Sequence, residues 1–298
     1  MARDPRPERW RRLEGLLDVD SLKSRRVLVA GLGSGGSTVA LELAKAGVAS
    51  FLLVDPDRIE ETNLIRHECD ARYLGWNKAE AVADLIRHRN PDAEIDVLAA
   101  DVFELGPRLE QAVAGADLVA ACTDVEPPKH LLNRLCLAAG VPAVYAGVYE
   151  RGVGGEVIRC AVGPKEACYA CVTAVLKESV PTAGEEEERD YGAIDADGAL
   201  HGAPGLGLDV RLVALIHAKV CLLTLIAAGS GAAGPVVADV PANVVLFGTA
   251  AVPGLFPRPF TSALLNIAPQ ANCLVCRPLR EGRLPGSFDE RAPTPLAG

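Results

Sequence analysis

Three glycines, Gly31, Gly33 and Gly36, form a GxGxxG pattern between an apolar run and a helical run. Because glycine has no side chain, backbone N–H groups and the helix dipole can approach the oxygens of a phosphate there. Asp55 ends the next apolar run, at about the distance at which an acidic residue meets a ribose hydroxyl in dinucleotide folds. The pattern predicts a nucleotide site. NAD and a tight turn without any ligand are the alternatives at this point.

A run of polar residues follows, DPDRIEETNLIR from Asp55 to Arg66, and Lys78 begins the next helical stretch. Arg66 and Lys78 could compensate the charge of a triphosphate while pyrophosphate departs. An NAD-dependent enzyme would have no use for this cationic pair, and no second catalytic constellation is identifiable. For each residue alone, a solvated surface charge or a helix cap is the alternative. The ordered set favours ATP.

Two CxxC pairs lie far apart in the sequence, Cys168 with Cys171 and Cys273 with Cys276. Paired knuckles of this kind are typical of a tetrahedral zinc site with four thiolates. A redox pair is the alternative, but it should open a helix within a thioredoxin-like unit, and we expect neither pair to do so. The spacing predicts a structural zinc that joins the C-terminal strands to the core and does no chemistry.

The other five cysteines are not metal-ligand candidates. Cys122, Cys136, Cys160 and Cys221 fall in apolar stretches and are interpreted as small buried residues. Cys69 lies beside charged residues, and we expect its thiol to be the accessible one.

The elements that must position these residues alternate between strand and helix. Strands are predicted at 25–30, 51–54, 94–100, 117–122 and 142–147, and helices at 37–46, 78–88 and 128–139. This alternation predicts a Rossmann-like, doubly wound, mostly parallel sheet with right-handed crossovers and helices on both faces. Further strands at 155–162, 243–249 and 263–267 predict an antiparallel C-terminal extension.

We expect one domain over residues 1–280, with its nucleotide-binding core at about 25–150 and a flexible tail at 281–298. Residues 177–204 are polar, acidic and rich in glycine and proline, which predicts a long crossover loop. The apolar stretch at 208–227 is interrupted by charged residues, so a buried helix is favoured over a membrane span.

The composition excludes several classes of function. Of 298 residues, 49% are hydrophobic and 23% are charged, as is ordinary for a globular protein. A net charge of -9 and a pI near 5.2 argue against nucleic acid as a partner. Residues 1–26 lack the apolar core of a secretory signal, and nine cysteines then suggest reduced thiols. We expect a cytoplasmic protein that binds neither nucleic acid nor a membrane.

The run from Asp55 to Arg66, the downstream Lys78 and the sequence Cys122-Thr-Asp124 resemble the motifs of the ThiF/MoeB/HesA family, bacterial relatives of the ubiquitin-activating enzymes. The resemblance extends from about residue 9 to residue 276. It implies an ATP-dependent adenylyltransferase that converts the C-terminal carboxylate of a small ubiquitin-like or sulfur-carrier protein into an acyl-adenylate. A ribosomal peptide as substrate, an NAD-dependent oxidoreductase and an inactive scaffold are the alternatives.

The resemblance also implies roles for individual residues. Arg66 and Lys78 would hold the β and γ phosphates with Asn63 close by, and Asp124 would organise magnesium. Asp55 would bind the ribose hydroxyls. The predicted nucleotide-binding set is completed by Gly31, Gly33, Gly36 and Asp57.

Family members also donate an arginine from an N-terminal R-[aromatic]-x-R-Q segment to the nucleotide of a partner subunit. The residues from Arg9 to Arg12 match its first four positions, but the fifth is Leu13, and the spacer to Gly31 is shorter than usual. Arg12 is therefore a candidate catalytic residue that acts across a homodimer. A surface basic helix is the alternative.

Many relatives carry a cysteine in the crossover loop, shortly before an Ala-Pro dipeptide, and use it in sulfur or thioester chemistry. Here the dipeptide is Ala203-Pro204, and no cysteine lies between Cys171 and Cys221. We expect the adenylate to be passed to another protein or captured by an external nucleophile.

Overall fold

The computed structural model describes residues 8–179, 193–194, 200–201, 205–228 and 242–282. Ten strands are present among them: β1 (Arg26–Ala30), β2 (Ser50–Val54), β3 (Glu94–Leu98), β4 (Leu118–Ala121), β5 (Ala143–Val148), β6 (Gly154–Cys160), β7 (Ala193–Ile194), β8 (Leu200–His201), β9 (Val244–Gly248) and β10 (Ser262–Leu265). Eight of them form one sheet in the order β10-β9-β6-β5-β4-β1-β2-β3, and β7 pairs with β8.

The first five strands are parallel, and β6, β9 and β10 join the β5 edge with antiparallel pairing. The strand order reverses between β1 and β4, and this is the point at which open α/β sheets bind ligands. The predicted Rossmann-like, mostly parallel sheet with an antiparallel C-terminal extension is confirmed.

Eight α-helices lie within the described ranges: α1 (Val19–Lys23), α2 (Ser34–Ala46), α3 (Lys78–Arg89), α4 (Pro107–Ala114), α5 (Glu126–Ala139), α6 (Tyr169–Ser179), α7 (Gly207–Ala228) and α8 (Arg277–Arg280). The helices lie on both faces of the sheet, because β1 is buried on both sides. Val27 and Val29 pack in the layer with α2, α3 and α7, whereas Leu28 and Ala30 pack in the layer with α4, α5 and α6.

Helix α7 has the length and apolar composition that a membrane span would need. In this fold one of its faces, which includes Val213, His217 and Cys221, is buried against α2, β5 and β6. Leu215, on the other face, is 41% exposed. The predicted core helix is therefore present and packs one face onto the sheet.

Several predicted bounds were wrong. Helix α2 begins at Ser34 and α5 at Glu126, each a few residues earlier than expected, so both helix starts lie closer to the strand ends. Helix α6 was not predicted, and it extends to Ser179, inside the range assigned to the crossover loop. The short pair β7 and β8 lies in that range too. The rest of the predicted loop, and residues 283–298 of the predicted tail, lie outside the described residues.

Candidate functional site

The glycine turn joins β1 to α2 at the carboxyl edge of the sheet. Gly31 has a left-handed φ of +87°, and a Cβ there would lie 2.8 Å from the carbonyl carbon of Cys122. A Cβ on Gly36 would lie 1.9 Å from the carbonyl oxygen of Gly31. These two glycines allow α2 to pack closely on β1 and β4, as the sequence pattern requires.

The third glycine has a different environment. Gly33 is the N-cap of α2, and no described atom lies within 4 Å of a Cβ added at Gly33 or Gly35. The first N–H groups of this 13-residue helix have no partner within the helix. An open helix N-terminus of this kind attracts an anion, because its N–H groups carry the positive end of the helix dipole.

Asp55 connects the glycine turn to the loop after β2. Its Oδ2 accepts a hydrogen bond from the Leu32 N–H (2.6 Å), and its Oδ1 accepts one from the Asp57 N–H (2.9 Å). Burial raises the pKa of this carboxyl, while Lys78 and the two backbone N–H groups oppose that shift. Each oxygen keeps a further lone pair with which a ribose hydroxyl could bond.

His67 provides a second connection, which sequence reasoning missed. Its Nδ1 accepts a hydrogen bond from the Cys69 N–H (2.9 Å), so Nε2 carries the proton and donates to the Leu32 carbonyl oxygen (2.7 Å). The ring is buried, and burial lowers its pKa. His67 is thus a neutral residue that holds the glycine turn against the loop containing Arg66.

Lys78 begins α3 and is tied to Asp57 at two points. Its N–H donates to the Asp57 carbonyl oxygen (2.8 Å), and its Nζ lies 2.7 Å from Asp57 Oδ2. Asn77 caps the same helix through Oδ1 and donates from Nδ2 to the carbonyl oxygens of Asp55 and Asp57. The Lys78 side chain is only 15% exposed, so its position is well defined.

Arg66 and Asn63 lie in the same loop. Asn63 Oδ1 accepts from the Glu60 N–H (3.0 Å), and the Asn63 carbonyl oxygen accepts from the N–H of Arg66 (3.0 Å). Asn63 therefore shapes the turn that leads to Arg66. The Arg66 guanidinium forms no ion pair with any residue that the structure describes.

Asp124 follows β4, which pairs with β1, and it is exposed. The backbone of the residues just before it, Cys122 and Thr123, lies 2.8 to 2.9 Å from the position that a Cβ of Gly31 would occupy, which is too close for any side chain. Asp55, Arg66 and Lys78 thus follow β2 and Asp124 follows β4, the two strands that flank β1 in the sheet.

Arg12 is not part of this assembly within one chain. It is exposed in a 3-10 helix, Glu8–Leu13, in which Arg9 donates to Asn90 Oδ1 (3.2 Å) and pairs with Asp92. Asn90 ends α3 and precedes β3, so this segment lies at the amino ends of the strands. The glycine turn lies at the opposite edge of the same sheet.

The expectation for Cys69 was wrong. This residue is 1% exposed, and burial, helped by neighbouring carboxylates, raises the pKa of its thiol to about 12. The charged neighbours Glu68 and Asp70 that suggested exposure are themselves more exposed, while Cys69 packs into the core. Cys136, Cys160 and Cys221 are buried as predicted, whereas Cys122 is only partly buried.

The four predicted metal ligands converge. All four Sγ atoms lie within 4.8 Å of one another, with distances of 3.8 Å (Cys168 to Cys171), 3.7 Å (Cys168 to Cys273) and 3.5 Å (Cys171 to Cys276). Tetrahedral zinc with Zn–S bonds of about 2.3 Å requires sulfur separations of about 3.8 Å, so the cluster fits zinc. The Gln270 N–H donates to Cys171 Sγ (3.3 Å), which stabilises a thiolate there.

The surroundings of the two pairs also disfavour a redox site. Cys168 directly precedes α6 and Cys276 directly precedes the short helix α8, but neither helix belongs to a thioredoxin-like unit, because the sheet is Rossmann-like. The main support for a metal site is that both pairs converge into one cluster, because a redox pair needs no second pair beside it.

A further polar group, also missed, lies next to Asp124. Lys129 is 3% exposed, and its Nζ lies 3.1 Å from Glu126 Oε1. The Tyr169 hydroxyl donates to the same carboxylate (3.0 and 2.9 Å). This contact links α6, which follows Cys168, to the first turn of α5.

Comparison with known proteins gives matches in sequence and in fold. The model of the ThiF family matches residues 8–250. The SAMP-activating enzyme E1 of Haloferax volcanii is 34% identical over 154 residues, 51% of this chain and 54% of that protein. The molybdopterin-synthase adenylyltransferase of Escherichia coli is 32% identical over 168 residues, 56% of this chain and 66% of that protein.

The sulfur carrier protein ThiS adenylyltransferase of Escherichia coli is 31% identical over 152 residues, 51% of this chain and 59% of that protein. The chain thus spans about half the length of the curated relatives it matches. Among solved structures, Escherichia coli MccB has a TM-score of 0.66 at 20% identity, over 90% of this chain and 72% of that one. That similarity shows a shared fold.

Proposed function

Because the chain belongs to the ThiF family, we propose that it is an ATP-dependent adenylyltransferase. In this reaction a carboxylate oxygen at the C-terminus of a small protein or peptide attacks the α-phosphorus of ATP. The bond from that phosphorus to pyrophosphate breaks, and the products are an acyl-adenylate and pyrophosphate. The curated relatives are named as adenylyltransferases or as activating enzymes, which supports the proposal.

The observation that supports this function best is an open helix N-terminus beside two cations. In the first turn of α2, a Cβ added at Gly33 or Gly35 would have no described atom within 4 Å. Arg66 lies in the loop after β2, and Lys78 begins α3 where that loop ends. Asp55 and its hydrogen bond from Leu32 attach this loop to the glycine turn. A triphosphate needs both features, because its charge exceeds what one helix dipole can stabilise.

The contacts of these residues support the proposed roles. Arg66, free of ion pairs within the described residues, would bind the β and γ phosphates. Lys78 has three N–H donors and could share them between Asp57 and a phosphate oxygen. Asp124 is exposed beside the turn and would bind magnesium, a cation that prefers oxygen ligands. Asp55 would accept from the ribose.

We propose a ubiquitin-like or sulfur-carrier protein with a flexible C-terminus as the substrate. The names of the curated relatives support this class, since they refer to a SAMP, to molybdopterin synthase and to the sulfur carrier ThiS. A short peptide is the second candidate. It is favoured by the absence of cysteine between Cys171 and Cys221, since a chain without a thiol there fits an enzyme that stops at adenylation.

Exchange of labelled pyrophosphate into ATP tests the reaction, because exchange requires a reversible acyl-adenylate. With magnesium, exchange should depend on a substrate with a free C-terminal carboxylate and should disappear when that carboxylate is amidated. Asp124→Ala should abolish exchange, and Asp101→Ala, at a half-buried carboxylate after β3, serves as its control. A panel of small proteins ending in Gly-Gly and of short peptides separates the two substrate classes.

Two outcomes would count against the proposal. Exchange that persists with the amidated substrate would exclude the carboxylate as the nucleophile. Absence of ATP binding together with enhanced NADH fluorescence would favour an oxidoreductase instead.

We further propose a homodimer in which Arg12 reaches the nucleotide of the partner subunit. The position of Arg12 at the amino edge of its own sheet supports action in trans. If Arg12→Ala and Lys78→Ala are both inactive, mixing them should restore exchange, because each hybrid dimer then contains one intact site. A clean monomer in light scattering would contradict this arrangement.

A further inference from the structure

The first turn of α7 packs directly against the backbone of Arg66. A Cβ added at Gly207 would lie 3.0 Å from Arg66 Cα, 3.0 Å from Arg66 Cβ and 3.0 Å from the Ile65 carbonyl oxygen. An ordinary van der Waals contact of a Cβ is 3.4 to 4 Å. The helix can therefore approach this loop so closely only because its first residue has no side chain.

One turn further along α7, an ion pair holds the same loop. Arg211 Nη2 lies 2.8 Å from Glu68 Oε1, and the Thr38 hydroxyl donates to that same oxygen (2.9 Å). Thr38 belongs to α2, the helix that the glycine turn begins. Glu68 thus connects two helices, two residues after Arg66.

The backbone of Arg66 is fixed from both directions. On one side Gly207 packs on it, and on the other the next residue, His67, donates to the Leu32 carbonyl oxygen (2.7 Å). The guanidinium, by contrast, pairs with no carboxylate of the described residues. A rigid backbone with an unengaged cation is the arrangement expected of a preorganised anion ligand.

We propose that residues 207–211 of α7 position Arg66 for the terminal phosphates of ATP, with Gly207 and Arg211 as positioning residues. Gly207 sets the distance between the helix and the loop, and Arg211 holds the loop through Glu68. The inference rests on the proposed function, because it assumes that Arg66 binds phosphate. It adds a segment of the chain, about 140 residues downstream of the motif, to the nucleotide site.

The matched pair Gly207→Ala and Gly205→Ala tests the contact. A Cβ at Gly205 would find its nearest neighbour, the Gly152 nitrogen, at an ordinary 3.8 Å. Gly207→Ala should displace Arg66 by a few tenths of an ångström. We expect this to weaken Mg-ATP binding roughly fivefold, because a misplacement of about 1 Å in an active site can lower the rate about a hundredfold. AMP lacks the terminal phosphates, so its affinity should stay unchanged. Gly205→Ala should alter neither, and calorimetric titration measures all four affinities.

A purely structural role of Gly207 predicts that Gly207→Ala lowers thermal stability together with the affinities for ATP and AMP. The higher helix propensity of alanine opposes the cost of the 3.0 Å contacts, so we expect only a small change in the melting temperature. An equal loss of ATP and AMP affinity would indicate general damage to the site and would overturn the proposal.

Arg66→Ala separates this inference from the proposed function. If Arg66→Ala leaves the ratio of ATP to AMP affinity unchanged, Arg66 does not bind the terminal phosphates. The role that the proposed function gives to Arg66 is then wrong, and so is the positioning role of Gly207. If Arg66→Ala lowers the ratio but Gly207→Ala does not, only the positioning role fails. The double variant Gly207→Ala/Arg66→Ala should have the same affinity ratio as Arg66→Ala alone. Once the Arg66 side chain is removed, the change at Gly207 has no guanidinium left to displace.

Arg211 provides an independent measurement should Gly207→Ala fail to fold. Arg211→Gln should raise the KM for ATP about threefold through greater freedom of the loop, and Arg211→Lys, which keeps the charge, should restore most of it. Arg72→Gln is the control, because Arg72 pairs with Asp70 (2.8 Å) in the same loop. Equal effects of Arg211→Gln and Arg72→Gln would overturn the role of Arg211.

Discussion

The four-cysteine cluster and the nucleotide edge are held in place by different kinds of contact. The cluster consists of side chains that come together from two motifs, and all of its ligands are in those motifs. The nucleotide edge consists largely of backbone atoms around Gly31 and Gly36, and its cations come from a loop held by residues such as His67 and Glu68. A site whose ligands all lie within its motifs can be predicted from their spacing. A site that also depends on residues outside the motif, as the nucleotide edge does, cannot be predicted completely in this way.

Loss of the metal ligands should have the largest effect. Cys168→Ser combined with Cys273→Ser should remove about one zinc per chain and lower the free energy of unfolding by several kcal/mol, since zinc binding contributes on the order of 10 kcal/mol in small zinc domains. Metal analysis and thermal unfolding measure both effects. Cys160→Ala, at a buried cysteine outside the cluster, should keep its zinc. Full zinc retention in the double variant would disprove the site.

The backbone contact at the glycine turn comes next. Gly36→Ala would put a Cβ 1.9 Å from the Gly31 carbonyl oxygen, so α2 must move, and we expect a loss of roughly 3 kcal/mol or more in unfolding free energy. Gly35→Ala meets no described atom within 4 Å and should leave stability unchanged or slightly higher. Chemical denaturation compares the two, and equal stabilities would show that the turn tolerates side chains.

The cations should affect chemistry rather than stability. Arg66→Ala and Lys78→Ala should each lower pyrophosphate exchange by roughly a hundredfold, as the loss of one electrostatic stabiliser of a transition state does. Arg58→Ala, in the same loop, removes a cation that donates to the Gly75 carbonyl oxygen and should change exchange little. Exchange that survives the loss of both Arg66 and Lys78 would refute the assigned mechanism.

The smallest effect concerns His67 and pH. Its pKa is lowered from 6.5 in the folded state, so the unfolded chain binds the proton more readily. Stability is therefore full above about pH 6.5 and is lost as the pH falls through the lowered pKa. His67→Gln should cost about 1 kcal/mol at pH 7 and remove this part of the pH dependence.

His217 provides the background for that measurement. Burial lowers the pKa of His217 to about 4, so His217 also makes the folded state less stable as the pH falls. This contribution persists in the His67→Gln variant. Denaturation of both proteins between about pH 7 and pH 4 isolates the His67 part by difference. Identical pH profiles would show that His67 does not titrate with folding.

Much of the fold could be predicted because the parallel strands other than the edge strand β3 are short apolar runs. Val27 to Ala30 are buried on both faces, so their sequence is continuously hydrophobic. Helix α6 escaped prediction because its first turn contains Cys171 of a CxxC pair, which led to its interpretation as a metal knuckle. The bounds of α2 and α5 were late because glycine and proline at their starts look like loop residues.

In the nucleotide site, only the residues that belong to a sequence motif could be predicted. His67 was missed because its partner, the Leu32 carbonyl oxygen, lies 35 residues away and leaves no sequence signal. Lys129 was missed because a lysine in a helix is usually solvated, yet this one is buried beside Glu126. The error at Cys69 had a related cause: exposed neighbours along the chain do not determine the direction of the next side chain.

Tyr169 connects the four-cysteine cluster with the helix that follows Asp124. It directly follows the ligand Cys168, and its hydroxyl donates to Glu126, two residues beyond Asp124. We expect a metal that orders the first turn of α6 to order the first turn of α5 as well, through this hydrogen bond. Linkage is reciprocal, so a ligand that orders the start of α5 should in turn strengthen metal binding by the cysteines.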